Sequence, residues 1–331
     1  MRILVTGGAG YIGSHTVALL RASGHEVSVV DNFSTGHREA VPADCSFQCD
    51  LAERVAIQQL LRTRSIEAVV HFAASCYVGE SVTDPAKYYN NNLVGTLSLL
   101  DALRAAGVPR IVFSSTCATY GIPSRVPITE EESQQPVNPY GFTKLAIERA
   151  LKDYCRAYGF GAVALRYFNA AGAAADGSLG EDHDPETHLV PLLLQTALSQ
   201  RPHVQIFGTD YPTPDGTCIR DYIHVEDLAD AHLRAVQHVR AGEFQEFNLG
   251  TGRGYSVREV VELARRISGR PIAVVEASRR AGDPPSLVAA AEKARRELGW
   301  QPRHTTLDTI IETAWRWHRD HPHGYKSKVG C

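Results

Sequence analysis

The sequence predicts an α/β protein, a doubly wound parallel sheet followed by a smaller, mixed α/β lobe, and three observations carry that prediction. Short β-branched runs at 3–5, 26–30, 46–48, 68–72, 110–114 and 163–166 alternate with segments at 17–22, 55–61, 93–105 and 142–158 whose apolar residues recur at helical spacing. Strand and helix in that alternation build a parallel sheet covered on both faces. The chain has 331 residues, 44% hydrophobic and 21% charged, long enough for two domains and too apolar to remain disordered. Beyond Arg166 the alternation breaks into Gly/Ala/Asp/Pro-rich text at 170–185 and 208–216, where loops are expected.

The helical signal then returns in pieces. Ser256-x-x-Glu259 is a capping box opening a helix to Ser268, with Gly269 as its stop, and Thr305-x-x-Asp308 opens a last amphipathic helix through Trp315. Segments 227–239 and 247–249 read as a helix and a strand rejoining the first sheet. The expected division is therefore a sheet domain over 1–168, with about 220–250 returning to it, and a smaller lobe over 169–331.

Composition excludes several classes. A net charge of -3 gives no reason to expect nucleic acid as a partner, and no stretch reads as a signal peptide or membrane span. A cytoplasmic location is the expectation. Seven cysteines at 45, 49, 76, 117, 155, 218 and 331, an odd number without a C-x-x-C pair, read as reduced thiols. Fourteen histidines include no H-E-x-x-H spacing, so no metal is expected, and His183 and His188 read as surface or loop residues.

Chemistry concentrates at the strand ends. Thr6-Gly7-Gly8-Ala9-Gly10-Tyr11-Ile12-Gly13 follows the first strand and leads into a helix. A glycine triplet alone is an ordinary turn. Between a strand and a helix it lets the backbone approach a pyrophosphate at the helix N-terminus, the Rossmann arrangement. Asp31, 18 residues beyond Gly13, can accept both hydroxyls of an adenine ribose, which favours NAD over a 2′-phosphorylated dinucleotide. Tyr140 and Lys144, four apart after Pro139, share one helix face. An ammonium there favours the phenolate and would make Tyr140 a base near neutrality. Ser114-Ser115-Thr116 puts hydroxyls at the carboxyl end of a strand, where open α/β sheets bind their ligands.

With those motifs on the page, the chain resembles the extended short-chain dehydrogenases and, within them, the UDP-glucose 4-epimerases. The resemblance rests on the glycine turn, Asp31, His71-Phe72-Ala73-Ala74, Asn92 in Asn-Leu-Val-Gly-Thr, Ser114 to Gly121, Asn138-Pro139-Tyr140-x-x-x-Lys144, Arg166-Tyr167-Phe168-Asn169 and the long block 206–224. It implies Tyr140 as base, Lys144 as its modulator and nicotinamide-ribose anchor, and Thr116 as the hydroxyl bonding the sugar O4. It implies a cofactor set of Gly7, Gly10, Tyr11, Ile12, Gly13, Asp31, Asn32, Asp50, Leu51, Phe72, Ala73, Ala74, Asn92, Tyr140, Lys144 and Tyr167. On the substrate side it implies Asn169, Arg220 and Arg280 on the diphosphate, Phe207 at the uracil, Asp283 at the uridine ribose, and His188, Leu189 and Leu287 near the sugar. The family also implies bound NAD, a UDP-sugar substrate, C4 inversion through a transient 4-keto sugar, and a homodimer.

Three positions depart from relatives: Cys76 replaces a lysine that touches the cofactor, Thr116 replaces a serine, and His188 replaces an asparagine. Cys117-Ala118 after Thr116, in place of Asp-Glu, argues against a 4,6-dehydratase. The block 206–224 argues against a dehydrogenase that releases NADH, and the Tyr140/Lys144 pair against a non-catalytic NAD-sensing module. Epimerases of UDP-N-acetylglucosamine or of UDP-xylose/UDP-arabinose would share clamp and base, and stay open as alternatives.

Overall fold

The computed structural model describes residues 1–280 and 282–325. The strands are β1 (Arg2–Thr6), β2 (Glu26–Asp31), β3 (Ser46–Gln48), β4 (Ala68–His71), β5 (Arg110–Thr116), β6 (Gly161–Tyr167), β7 (Asn169–Ala171), β8 (Val204–Phe207), β9 (Ile219–His224), β10 (Phe244–Leu249), β11 (Gly254–Ser256), β12 (Val274–Ala277) and β13 (Ser286–Leu287). The helices are α1 (Tyr11–Ala22), α2 (Arg54–Thr63), α3 (Val78–Thr83), α4 (Pro85–Tyr88), α5 (Gly95–Ala106), α6 (Pro139–Tyr158), α7 (Leu189–Ala197), α8 (Val225–His238), α9 (Val257–Ser268), α10 (Glu292–Glu297) and α11 (Leu307–Asp320).

Seven parallel strands form the main sheet in the order β10-β6-β5-β4-β1-β2-β3. The order reverses between β1 and β4, which opens a crevice at their carboxyl ends. Ile3, Leu4 and Val5 of β1 are apolar in succession because both faces of a parallel sheet are covered. On one side Ile3 and Val5 pack with Val17 and Leu20 of α1 and Leu228, Ala231 and Ala235 of α8. On the other, Leu4, Val69 and Phe113 pack with Ile57 and Leu61 of α2, Leu99 and Leu103 of α5, and Ile147 and Leu151 of α6.

The chain returns to this sheet after leaving it: α8 packs on α1, and β10 pairs parallel with β6, Phe247 opposite Leu165. In the lobe, β9 lies between β11 and β13 and also pairs with β7, while β8 and β12 form a separate parallel pair. Helices α7, α9 and α11 cover a third core around Leu193, Leu194, Val260, Ile310 and Ile311.

The Ser256/Glu259 capping box is present in both directions, and Gly269 ends α9 at φ 64. The last helix begins one residue later than the text suggested. Thr306, not Thr305, caps it, accepting the Thr309 N–H, because the cap must be the residue whose hydroxyl reaches the free amides of the first turn. Six cysteines are free thiols; Cys331 lies outside the described residues.

One polar network crosses the core beneath the crevice. The Arg166 guanidinium donates through Nε and Nη2 to both carboxylate oxygens of Glu148, at 3.0 and 2.6 Å, with side chains 2% and 1% exposed. Ser115 donates to the same carboxylate at 2.6 Å, and Arg166 reaches the Tyr120 hydroxyl at 2.9 Å. Tyr120 in turn donates to Asn248 Oδ1 at 2.7 Å. Arg166→Met leaves a buried carboxylate without its counter-charge, so urea unfolding should show a loss of about 3–5 kcal/mol. Adding Glu148→Met should recover much of it; a single-variant loss below about 1 kcal/mol would mean that the pair does not hold this region.

Candidate active site

The crevice begins at the carboxyl end of β1. Gly7 has φ +69, and a Cβ on it would fall 2.5 Å from the Ala73 nitrogen; a Cβ on Gly13 would fall 2.2 Å from the Gly7 carbonyl oxygen. Packing within the protein thus requires these two glycines. Gly10 differs, since a Cβ there meets only the Gly7 oxygen at 3.4 Å. Gly10 is the N-cap of α1, supplies no side-chain cap, and no acid occupies the first turn. The amides at the start of α1, Tyr11, Ile12 and Gly13, are left to an external anion.

Asp31 ends β2 beside that turn. Its Oδ2 accepts the Ala9 N–H at 3.0 Å and its Oδ1 the Phe33 N–H at 2.8 Å. Burial raises its pKa and the two amides oppose the rise; each oxygen retains a lone pair for a hydroxyl donor. Arg38, the basic side chain nearby, is engaged with Gln48 and the Phe33 ring. Across the rim Asn32 donates to Asp50 at 2.8 Å, with Leu51 buried behind. An uncapped helix, an open approach at Gly10 and a carboxylate with lone pairs to spare at the end of β2 fit a dinucleotide.

After β4, Phe72 packs on His232 with ring centroids 4.5 Å apart, and Ala73 closes on Gly7. Asn92 spends its amide on this loop: it accepts the Ser75 N–H at 2.8 Å and donates to the Ser75 carbonyl at 3.0 Å. Its hold on a cofactor would run through residues 72–76. His71 joins Thr6 at 2.6 Å to Thr96 at 2.8 Å, and burial pushes its imidazole down to about 3, so it is neutral.

Asn138 caps α6 by accepting the Gly141 N–H at 2.8 Å, which sets the first turn containing Tyr140. Lys144 follows one turn on, fully inside, donating to the Ser114 carbonyl at 2.8 Å. Its ammonium lies 4.9 Å from the Phe113 ring centroid and 5.8 Å from that of Tyr140. The expectation that Lys144 brings the Tyr140 phenol down to a base usable near neutrality is corrected here. Burial dominates and, with Tyr167 and Cys76 close by, pushes Tyr140 well above its ordinary range, with the Thr116 hydroxyl acting in the opposite direction. Burial also lowers Lys144 to about 8. Desolvation opposes charge on both members, so a phenolate here depends on further positive charge.

Thr116 ends β5, and its oxygen accepts the Ala118 N–H at 3.1 Å. Tyr167 meets the Ser114 hydroxyl at 2.5 Å. From the lobe, Arg220 reaches in toward Cys117 and pairs with Asp283, its Nη1 donating to the Ile219 carbonyl at 2.7 Å. Diphosphate and ribose anchors were expected separately; the structure joins them to each other. Arg280, exposed, stands 4.0 Å over the Phe207 ring. Asn169 lies opposite Tyr222 in β9. Leu287, in register with Arg220, is half-buried against the cluster of Tyr120, Phe168 and Cys117, the residue after Thr116.

His188 and Leu189 stand at the start of α7. Both His183 and His188 lie in loop, as read, and the His188 side chain is 39% exposed; His183 is only 15% exposed, and both rings face the buried carboxylates of Glu181 and Glu186. Nothing in their spacing marked this, because the loop folds back on itself.

The chain matches the model of the NAD dependent epimerase/dehydratase family over residues 3–250. A UDP-glucose 4-epimerase of Halalkalibacterium halodurans is 52% identical over 329 residues, 99% of this chain and 98% of that one. The structure of the Brucella ovis UDP-glucose 4-epimerase in complex with NAD superposes with a TM-score of 0.92 at 52% identity, covering 95% of this chain and 97% of that one. The Bifidobacterium longum UDP-glucose 4-epimerase in complex with NAD+ and UDP gives a TM-score of 0.94 at 38% identity, covering 98% and 100%.

Proposed function

This chain belongs to the NAD dependent epimerase/dehydratase family, and from that premise we propose which residues perform its reaction. The reaction is NAD-dependent inversion at C4 of UDP-glucose and UDP-galactose. The observation that carries the residue roles is the convergence of Tyr140 and Lys144 from α6 with Thr116 from the end of β5, beside the uncapped start of α1.

NAD would supply hydride acceptance from the sugar C4 and its return, and in its oxidised form a positive charge. Asp31 and the first amides of α1 hold it, with Lys144 at the nicotinamide ribose. Tyr140, as phenolate, takes the C4 hydroxyl proton while Thr116 holds O4. Arg220, Arg280 and Asn169 keep the diphosphate in place as the 4-keto sugar turns its other face to the same groups. Tyr140 then gives the proton back to O4, and neither proton nor electron pair is gained or lost overall. Arginine suits the clamp because its fork donates in pairs, and Asp283 keeps that of Arg220 aimed.

The same reading assigns 1–168, with about 220–250 returning, to the cofactor and 169–331 to the nucleotide sugar. It places the protein in the cytoplasm, supported by the six free thiols, and makes it a homodimer. Support for the dimer lies on α5, α6 and the helical turn 89–94 that leads into α5, where Tyr89, Val94, Leu97 and Phe142 are 38%, 56%, 38% and 47% exposed. No helix among the described residues is long and apolar enough to cross a membrane.

Tyr140→Phe should retain cofactor and substrate but turn over roughly 10²- to 10⁴-fold more slowly, and Lys144→Ala should move the acid limb of the kcat/KM profile to higher pH, since the phenolate loses a cation. Near-wild-type rates in Tyr140→Phe would remove it as the base. Light scattering should give the mass of a dimer for the wild type and of a monomer for Leu97→Glu/Phe142→Glu. At Leu287 a residue smaller than tyrosine leaves room beside the sugar, so UDP-N-acetylglucosamine should be epimerised alongside UDP-glucose. Leu287→Tyr should suppress the N-acetyl substrate selectively, roughly 5- to 150-fold, if overpacking strain falls on the bulkier complex. Equal losses on both, or no N-acetyl turnover in the parent, would show that Leu287 does not gate the pocket.

A further inference from the structure

The loop between β7 and α7 gathers two carboxylates and two imidazoles at one point. Nδ1 of His183 lies 3.2 Å from Glu181 Oε1 and 3.6 Å from Glu186 Oε2. Nδ1 of His188 lies 3.0 Å from Glu181 Oε1 and 2.9 Å from Glu186 Oε1. The four donor atoms fall within 4.8 Å of one another. The Glu181 and Glu186 side chains are 5% and 3% exposed, and two carboxylates that deep need positive charge beside them.

Two imidazolium rings, or one divalent cation with neutral rings, would supply that charge. The Nδ1 of His183 decides between them. It is buried beside two carboxylates, yet no oxygen lies where a ring N–H would donate. His188 Nδ1 is aligned on Glu186 Oε1 at 2.9 Å, which leaves the buried Nδ1 of His183 as the donor atom of the cluster without a partner. The four His-to-carboxylate separations, taken to both oxygens of Glu186, run from 2.9 to 3.6 Å, and one donor atom from each of the four side chains lies within 4.8 Å of the others. The second His/Glu cluster among the described residues lacks this character. His224 Nδ1 accepts the Glu226 N–H at 3.1 Å and its Nε2 meets Thr313 at 3.0 Å, so both ring nitrogens are committed.

We propose that Glu181, His183, Glu186 and His188 bind a divalent cation of the zinc class. Two imidazoles and two carboxylates are a zinc-type set, and four protein donors leave no open coordination position, the mark of a structural site. The ion staples the loop where it matters. The rings of Tyr11, in the glycine turn, and Tyr77 lie 6.3 and 6.0 Å from that of His183, and Leu189 begins α7 immediately after His188. His188 coordinates through Nδ1 and keeps Nε2 for the substrate side.

The test is elemental analysis of the untagged holoenzyme, equilibrated with zinc and then dialysed against metal-free buffer. About one zinc per chain is expected, and chelation should remove it and lower the melting temperature by several degrees, with zinc restoring the loss and magnesium failing to. His183→Ala and Glu186→Gln should bind no zinc, whereas His304→Ala in the other cluster should retain it. If either of the first two variants fails to fold, zinc titration of the chelated wild type carries the test. Wild-type zinc no higher than in His183→Ala, or a melting temperature indifferent to chelator and zinc, would overturn the proposal and leave a cluster of ion pairs.

Discussion

The buried fork between Arg166 and Glu148 is the constraint from which the catalytic arrangement follows. Tyr140, Lys144 and Glu148 succeed one another at intervals of four on α6, so they form one row facing the sheet. Fixing the last fixes the other two. Arg166 belongs to β6 and Ser115 to β5, and both bind the Glu148 carboxylate; the helix therefore cannot rotate or slide on the strands without breaking charge-assisted bonds in a place that water does not reach. A base on the first turn of a helix, held only by that turn, would have no such register.

Desolvation both locks this arrangement and sets its chemistry. The burial that makes the fork strong also raises the Tyr140 phenol and lowers the Lys144 ammonium. Burial disfavours the phenolate, so the proposed role of Tyr140 as base calls for cations assembled around it, and so ties that role to an occupied cofactor site. The rigid parts serve that end: two glycines demanded by backbone contact, one left open, and Asp31 already tied to two amides before any hydroxyl arrives.

Much of this was legible in the text because it is local. The glycine turn, Asp31 at its strand end, the Tyr140/Lys144 spacing and the Ser256 capping box depend on residues within one or two turns of each other. The strands of the first sheet were readable because burial on both faces writes them as apolar runs. What eluded the text depends on the path of the chain. Arg220 and Asp283 are separated by sixty-three positions, and their pairing needs β13 to lie against β9. Glu181 to His188 spans eight residues of loop with neither helical nor strand period, so no spacing rule applied. The phenol pKa was misread because spacing shows which charge is near, and only packing shows how much water has been removed.

Strand β10 sits at the end of the sheet, yet it follows β6 by some eighty residues in the chain. During synthesis, β6 emerges with an unpaired edge of apolar residues, and Tyr120 must wait for Asn248. The first 168 residues thus lack one strand and one helix of the first sheet's layers. Until the intervening lobe segment has left the ribosome, that edge is a site for pairing with the wrong chain. Placing β10 after β7, β8 and β9 means that the main sheet is completed only once part of the second lobe has been made.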